Sequence, residues 1–248
     1  MKEYRGLTYS QSGQLLDLYC PDSECRGILL YFHGGGLTSG SREKVGEVLA
    51  SYLVPHGYAL ASADYRLFPD AAYPDFLNDA ADAAAWTFAH AEEYGFTDRV
   101  FIGGSSAGGY ISMMLCFDRE FLESRGIYGR PAGYIHDAGQ PTKHFQMLEN
   151  EGLDRKRQII DETAPLYYVG LEENYPPMLF IVSDDDMANR YEQTMLMISS
   201  LRNFGHTEPD VQLRVMHGKH CKYVRKLDEN NESILGKIAY GFMSSFEK

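Results

Sequence analysis

The 248-residue sequence predicts an α/β fold: a mostly parallel central sheet with helices on both faces and an antiparallel edge at its N-terminal side. Two observations carry that expectation. Short apolar runs alternate with longer amphipathic stretches, the pattern of strands joined by crossover helices. No internal repeat, low-complexity tract or Ser/Gly linker breaks the alternation, so a single domain over 1–248 is expected.

In chain order, Gly6–Tyr9 and Leu15–Tyr19 flank the turn pair Ser12-Gly13 and predict a hairpin at the sheet edge. Strands are then predicted at Ile28–Phe32, Tyr58–Ala63, Arg99–Gly103, Gly133–His136, Met178–Ser183 and Val211–Met216. Between them, Phe76, Ala80, Ala83, Ala84 and Phe88 recur at helical spacing, as do Tyr191, Thr194, Met195, Ile198 and Leu201. From Asp137 to Pro177 no strand is evident, and the charged run Asp154-Arg155-Lys156-Arg157 sits in the middle. An excursion this long is expected to be functional or lid-like.

Composition excludes several classes of function. Hydrophobic residues at 44% against 23% charged exclude a disordered chain, and a formal charge of −12 would repel a nucleic-acid backbone. Purely apolar runs such as Ile28 to Phe32 and Met178 to Val182 fall far short of the roughly 18 residues of a spanning helix, so no membrane partner is expected. Met1-Lys2-Glu3-Tyr4-Arg5-Gly6 leads into polar Thr8-Tyr9-Ser10-Gln11 without an apolar secretory segment, which predicts a cytoplasmic protein. Cys20, Cys25, Cys116 and Cys221 form no Cys-x-x-Cys pair and read as free thiols.

The chemistry is concentrated at strand ends. Gly104-Ser105-Ser106-Ala107-Gly108 follows one predicted strand and precedes the helical stretch Tyr110–Cys116, the context in which Gly-x-Ser-x-Gly forms a sharp nucleophile-bearing turn. Only Ser106 has glycine at both −2 and +2, so Ser106 is the predicted nucleophile. His33-Gly34-Gly35-Gly36 directly follows another strand, where backbone N–H groups can converge unobstructed. The N–H groups of Gly35, Gly36 and Ala107 are the predicted oxyanion hole. A serine hydroxyl needs a histidine base, and that base a carboxylate to orient it. Asp184-Asp185-Asp186 and His217-Gly218-Lys219-His220 supply candidates for both roles at the carboxyl ends of the last two strands.

His33-Gly34-Gly35-Gly36, Asp64-Tyr65-Arg66-Leu67-Phe68-Pro69, Gly104-Ser105-Ser106-Ala107-Gly108 and Tyr175-Pro176-Pro177 leading to Asp186 together resemble the hormone-sensitive-lipase-like esterases of the α/β-hydrolase superfamily. The resemblance extends from Ile28 to His220. It implies that Asp186, nine residues after the second proline, is the acid, and that His220, which follows a glycine after the last strand, is the base. It also assigns Asp64 and Arg66 to the scaffold. With 27 residues before Ile28 there is little room for the family's usual N-terminal cap, so the chain is most similar to the compact branch containing acetyl-xylan and feruloyl esterases and kynurenine formamidases. Met187 stands where the family usually has proline after the acid, and Leu37 where an aromatic residue is usual.

The expected activity is therefore carboxylic-ester hydrolysis of short-acyl esters of simple or carbohydrate alcohols. The partner is a small-molecule ester, no cofactor or metal is implied, and a homo-oligomer stays open. A formamidase-type amidase is the alternative enzyme, and a non-catalytic ligand-binding homologue is the alternative from another class. The walls over Ser106 are expected mainly from the 137–177 excursion, with Tyr167, Tyr168 and Tyr175 as pocket candidates. His136 and Asp137 read as lining or core residues rather than metal ligands, and Cys221 as a buried thiol.

Overall fold

The strand pattern closes into one eight-stranded sheet in the computed structural model, which describes residues 1–129 and 131–246 and, for Lys44, the backbone alone. The strands are β1 (Lys2–Thr8), β2 (Leu15–Cys20), β3 (Gly27–Phe32), β4 (Tyr58–Ala63), β5 (Val100–Ser105), β6 (Gly133–Asp137), β7 (Met178–Asp185) and β8 (Val211–Lys219), ordered β1-β2-β4-β3-β5-β6-β7-β8. The β1–β2 and β2–β4 pairs are antiparallel, and every other neighbouring pair is parallel. All eight predicted strands are present, including the edge hairpin.

Side-chain alternation sorts the core into two layers. Ile28, Leu30 and Phe32 of β3 point to one face, where they meet Phe76, Leu77 and Ala80 of α2 (Asp75–Ala89), Ile111 and Leu115 of α4 (Ala107–Phe117), and Met197 and Leu201 of α7 (Arg190–Asn203). Leu29 and Tyr31 point to the other, against Leu49 and Leu53 of α1 (Glu43–Leu53) and Leu235 and Phe242 of α8 (Ile234–Ser244). Because both faces are covered, β3, β4 and β5 are buried along their whole length and read as continuous apolar runs. Three short helices complete the chain: α3 (Ala91–Tyr94), α5 (Glu120–Glu123) and α6 (Phe145–Asn150). No helix among the described residues is long and apolar enough to cross a membrane.

The 137–177 excursion contains α6 and a 3₁₀ turn at Pro165–Tyr168, and no strand after β6 ends. It is fastened from below. The buried Arg190 guanidinium donates to the Ala138 carbonyl and, at 3.2 Å, to Gln140 Oε1. The Tyr110 hydroxyl donates to the Thr163 carbonyl at 2.7 Å, and Lys143 pairs with Glu151 and Asp161. The Arg190 and Tyr110 bonds draw the excursion onto α7 and α4, and the Lys143 pairs brace it internally.

Candidate active site

The turn between β5 and α4 places a single residue, Ser106, at φ 58° and ψ −113°. A non-glycine residue held there costs about 1–3 kcal/mol, which the surroundings must supply. Part of that support is a hydrogen bond from the Ser106 N–H to the Asp137 carbonyl at 2.7 Å. The turn is also this tight because α4 starts almost in contact with β3. A Cβ on Gly108 would lie 2.0 Å from the Phe32 carbonyl oxygen, so no side chain fits at that position. In this turn Ser106 faces the cavity, while the Ser105 hydroxyl points into the sheet and donates to Asp137.

Parallel pairing of β7 with β8 brings the two charged strand ends side by side, with Asp185 opposite Lys219. Three acid–base pairs result: Asp184 with His217, Asp185 with Lys219, and Asp186 with His220. Of these, only the last reaches the serine. His220 Nε2 lies 2.8 Å from Ser106 Oγ, and His220 Nδ1 lies 2.5 Å from Asp186 Oδ1. The Asp186 carboxylate is buried and also accepts the N–H groups of Met187 at 2.7 Å and Ser183 at 3.1 Å. Burial pushes its carboxyl up, but the hydrogen bond and charge of His220 with those two N–H groups outweigh it and hold it below the ordinary carboxylate range.

The glycine loop after β3 folds back on itself. Gly35 has φ 130°, and a Cβ there would lie 1.8 Å from the Ser39 carbonyl oxygen. Its own carbonyl accepts the N–H groups of Thr38 and Ser39, both at 3.1 Å, while the N–H groups of Gly35 and Gly36 have no partner among the described residues. Both glycines line the cavity that holds Ser106, and Ala107 opens α4 immediately after it. The loop's anchor went unrecognised in the sequence. The His33 ring stacks on Tyr65 with centroids 4.5 Å apart, and the Tyr65 hydroxyl donates to the His33 carbonyl at 2.8 Å. Asp64 and Arg66 flank this tyrosine as scaffold, paired with Arg42 and Asp79 respectively.

The cavity holds about 520 Å³. Its walls differ from the expectation. They come from the 33–45 segment, Met187 and the 220–225 segment, and Phe145 is the excursion's single contribution, because the ties to α4 and α7 hold the rest aside. Tyr167, Tyr168 and Tyr175 do not line it. The Tyr168 and Tyr175 hydroxyls bond to carbonyls within the excursion, and Tyr167 is exposed. Cys221 lies in the cavity wall at φ 52°, with Sγ 3.6 Å from His220 Nε2; the residue is partly exposed, but its thiol is buried as expected, and that burial pushes it up. All four cysteines are free thiols. His136 is a core residue, with Nδ1 2.9 Å from Ser112 Oγ.

A family model described as BD-FAE matches residues 16–132. Esterase LipC of Mycobacterium tuberculosis is 28% identical over 196 residues, covering 71% of this chain and 48% of LipC. Human hormone-sensitive lipase is 33% identical over 129 residues, covering 50% of this chain and 12% of that protein. Among solved structures, a truncated carbohydrate esterase from gut microbiota superposes with a TM-score of 0.79 at 15% identity, covering 98% of this chain and 97% of that one. The chain spans about half the length of LipC and a smaller share of hormone-sensitive lipase.

Proposed function

For an α/β-hydrolase related to the hormone-sensitive-lipase-like esterases, as this chain is, we propose serine carboxylesterase activity on short-acyl esters of polar, carbohydrate-like alcohols. The observation that carries this reading is the continuous relay from Ser106 Oγ through His220 to buried Asp186, opening into a cavity. His220 Nε2 takes the proton from Ser106 Oγ as the oxygen attacks the ester carbonyl, and Asp186 holds the imidazole by Nδ1–H and stabilises the imidazolium. The negative oxygen of the tetrahedral intermediate is held by the N–H groups of Gly35, Gly36 and Ala107. Collapse breaks the C–O bond, and His220 returns the proton to the leaving alcohol. Water then attacks the acyl-Ser106, giving its proton to His220, which returns it to Ser106 Oγ as the C–Oγ bond breaks and the acid is released.

Two features of the cavity support the substrate class. Its apolar wall is limited to Val45, Phe145, Met187 and Val224, enough for a short acyl group, whereas Ser39, Ser41 and Arg225 offer polar contacts to an alcohol. Each further methylene is worth about 0.8 kcal/mol only where an apolar wall receives it. Along p-nitrophenyl esters from C2 to C12, kcat/KM is expected to peak between acetyl and butyryl. An optimum at C8 or longer contradicts the short-acyl reading. A panel of acetylated sugars, feruloyl esters and N-formylkynurenine tests the leaving group: faster turnover of the formamide than of every ester would replace this reading with an amidase. A cytoplasmic setting accords with the four free thiols.

A further inference from the structure

Behind the relay lies a buried carboxylate that the proposed mechanism does not use. Asp137 ends β6, is fully buried, and sits opposite Ser105 in the β5–β6 register. One carboxylate oxygen accepts the Ser105 hydroxyl and the other accepts the Tyr223 hydroxyl. The chain of donors runs on, since the Tyr31 hydroxyl donates to Ser105 Oγ at 2.6 Å. Each hydroxyl therefore donates once, and the carboxylate is met on both sides. Burial pushes Asp137 up to about 6, against the pull of the Ser105 and Tyr223 hydrogen bonds, so at the neutral to mildly basic pH of an ester assay it is the acceptor these hydroxyls require.

The two donors come from the two segments whose spacing the chemistry depends on. Ser105 immediately precedes Ser106, and Tyr223 stands three residues after His220. Asp137 also accepts the Ser106 N–H through its main-chain carbonyl. We propose that Asp137 is a positioning residue: its carboxylate ties the turn carrying Ser106 to the loop carrying His220 and fixes the spacing at which Oγ and Nε2 meet. This rests on the serine-hydrolase reading of the site. Neither Ser105 nor Tyr223 makes a hydrogen bond to His220 or Asp186, so no direct bond carries their effect to the relay.

Replacing Asp137 itself risks the fold, so the test removes single hydroxyls: Ser105→Ala, Tyr223→Phe and the double variant, assayed with p-nitrophenyl acetate alongside thermal melts. Small displacements of reacting groups carry large rate penalties, so each single variant is expected to lower kcat on the order of 10-fold with KM within about 2-fold. Once one side of the tie is open the second hydroxyl has little left to hold, so the double variant should lose no more than about 3-fold beyond the worse single one. Two full, multiplying losses, a loss confined to KM, or kcat within about 2-fold of the parent in both singles overturns the proposal. The rate of Ser106 labelling by a fluorophosphonate is read in parallel, because it needs an activated serine but no particular substrate. If the parent labels rapidly yet cleaves no ester, the esterase reading fails while the labelling rates of the variants still decide the role of Asp137.

Discussion

Two histidine–aspartate pairs stand at the ends of the same two strands, and only one of them touches a serine. His220–Asp186 and His217–Asp184 use the same atoms, Nδ1 to a carboxylate oxygen, at 2.5 and 2.7 Å. The His217 side chain is 98% exposed, whereas the His220 side chain is 21% exposed and its aspartate is wholly buried. A hydrogen-bonded imidazole–carboxylate pair is thus not a catalytic device by composition. It becomes one when the remaining nitrogen is aimed at a nucleophile and the pair is shielded from water, where its electrostatics are felt more strongly. The outer pair repeats the chemistry in solvent, where such pairs contribute little.

The largest effects should fall on the inner relay. Ser106→Ala and His220→Ala are each expected to lower kcat by about 10⁴-fold or more, and Asp186→Asn, which leaves the imidazole in the wrong tautomer, by a comparable factor. Because the relay acts as a unit, combining any two should cost scarcely more than one, a non-additivity that steady-state kinetics of the double variants can read. A residual kcat within 10-fold of the parent in His220→Ala would break the contrast between the pairs.

A smaller effect separates the histidines by pH. Burial pushes the core residue His136 down to about 3, and burial with nearby arginines lowers His144 as well. Below about pH 6.5 the unfolded chain takes up protons that these folded-state rings refuse, so this stability is present above pH 6.5 and is lost as pH falls toward 3. His217 has the opposite sign: its hydrogen bond to Asp184 raises it, so its contribution is present at low pH and lost as pH rises through its folded value, though solvent exposure screens it. The melting temperature should therefore drop as pH is lowered from 6.5 to 4. The drop should be shallower in His136→Gln and unchanged in slope in His217→Ala. Parallel slopes for His136→Gln and the parent would remove His136 as the source.

The smallest effect is the control. Asp184→Asn and His217→Ala should keep kcat within about 2-fold of the parent, because neither group reaches the cavity, and surface substitutions away from such features rarely matter. A 100-fold loss in either would mean that the exposed pair takes part in turnover.

Much of this contrast was legible in the sequence because local signals agreed. The β-strands were readable as apolar runs, and the Gly104-to-Gly108 frame singled out Ser106. The separation of His220 from His217 required the family resemblance, since strand-end position alone left both open. Two of the longer helices, α1 and α8, were not anticipated, although weak signals existed. In α1, Val45, Leu49 and Leu53 are buried at four-residue spacing, and α8 is introduced by Ser233, whose side chain accepts the Gly236 N–H at 3.0 Å. The anchoring of the 137–177 excursion was not readable, because Arg190 bonds to Ala138 and Gln140 across some fifty residues and nothing local marks it. The Tyr31–Ser105–Asp137–Tyr223 chain was hidden for the same reason: each member looks ordinary until the sheet brings them together.

The central claim is that His220, and not His217, activates Ser106. It is tested most directly by treating the parent, His220→Ala and His217→Ala with a fluorophosphonate, measuring labelling rates and locating the adduct by peptide mass spectrometry. The account predicts a single adduct on Ser106, a labelling rate in His217→Ala equal to that of the parent, and a loss on the order of 10³-fold or more in His220→Ala. An adduct on Ser105, or undiminished labelling of His220→Ala with loss in His217→Ala, would contradict it.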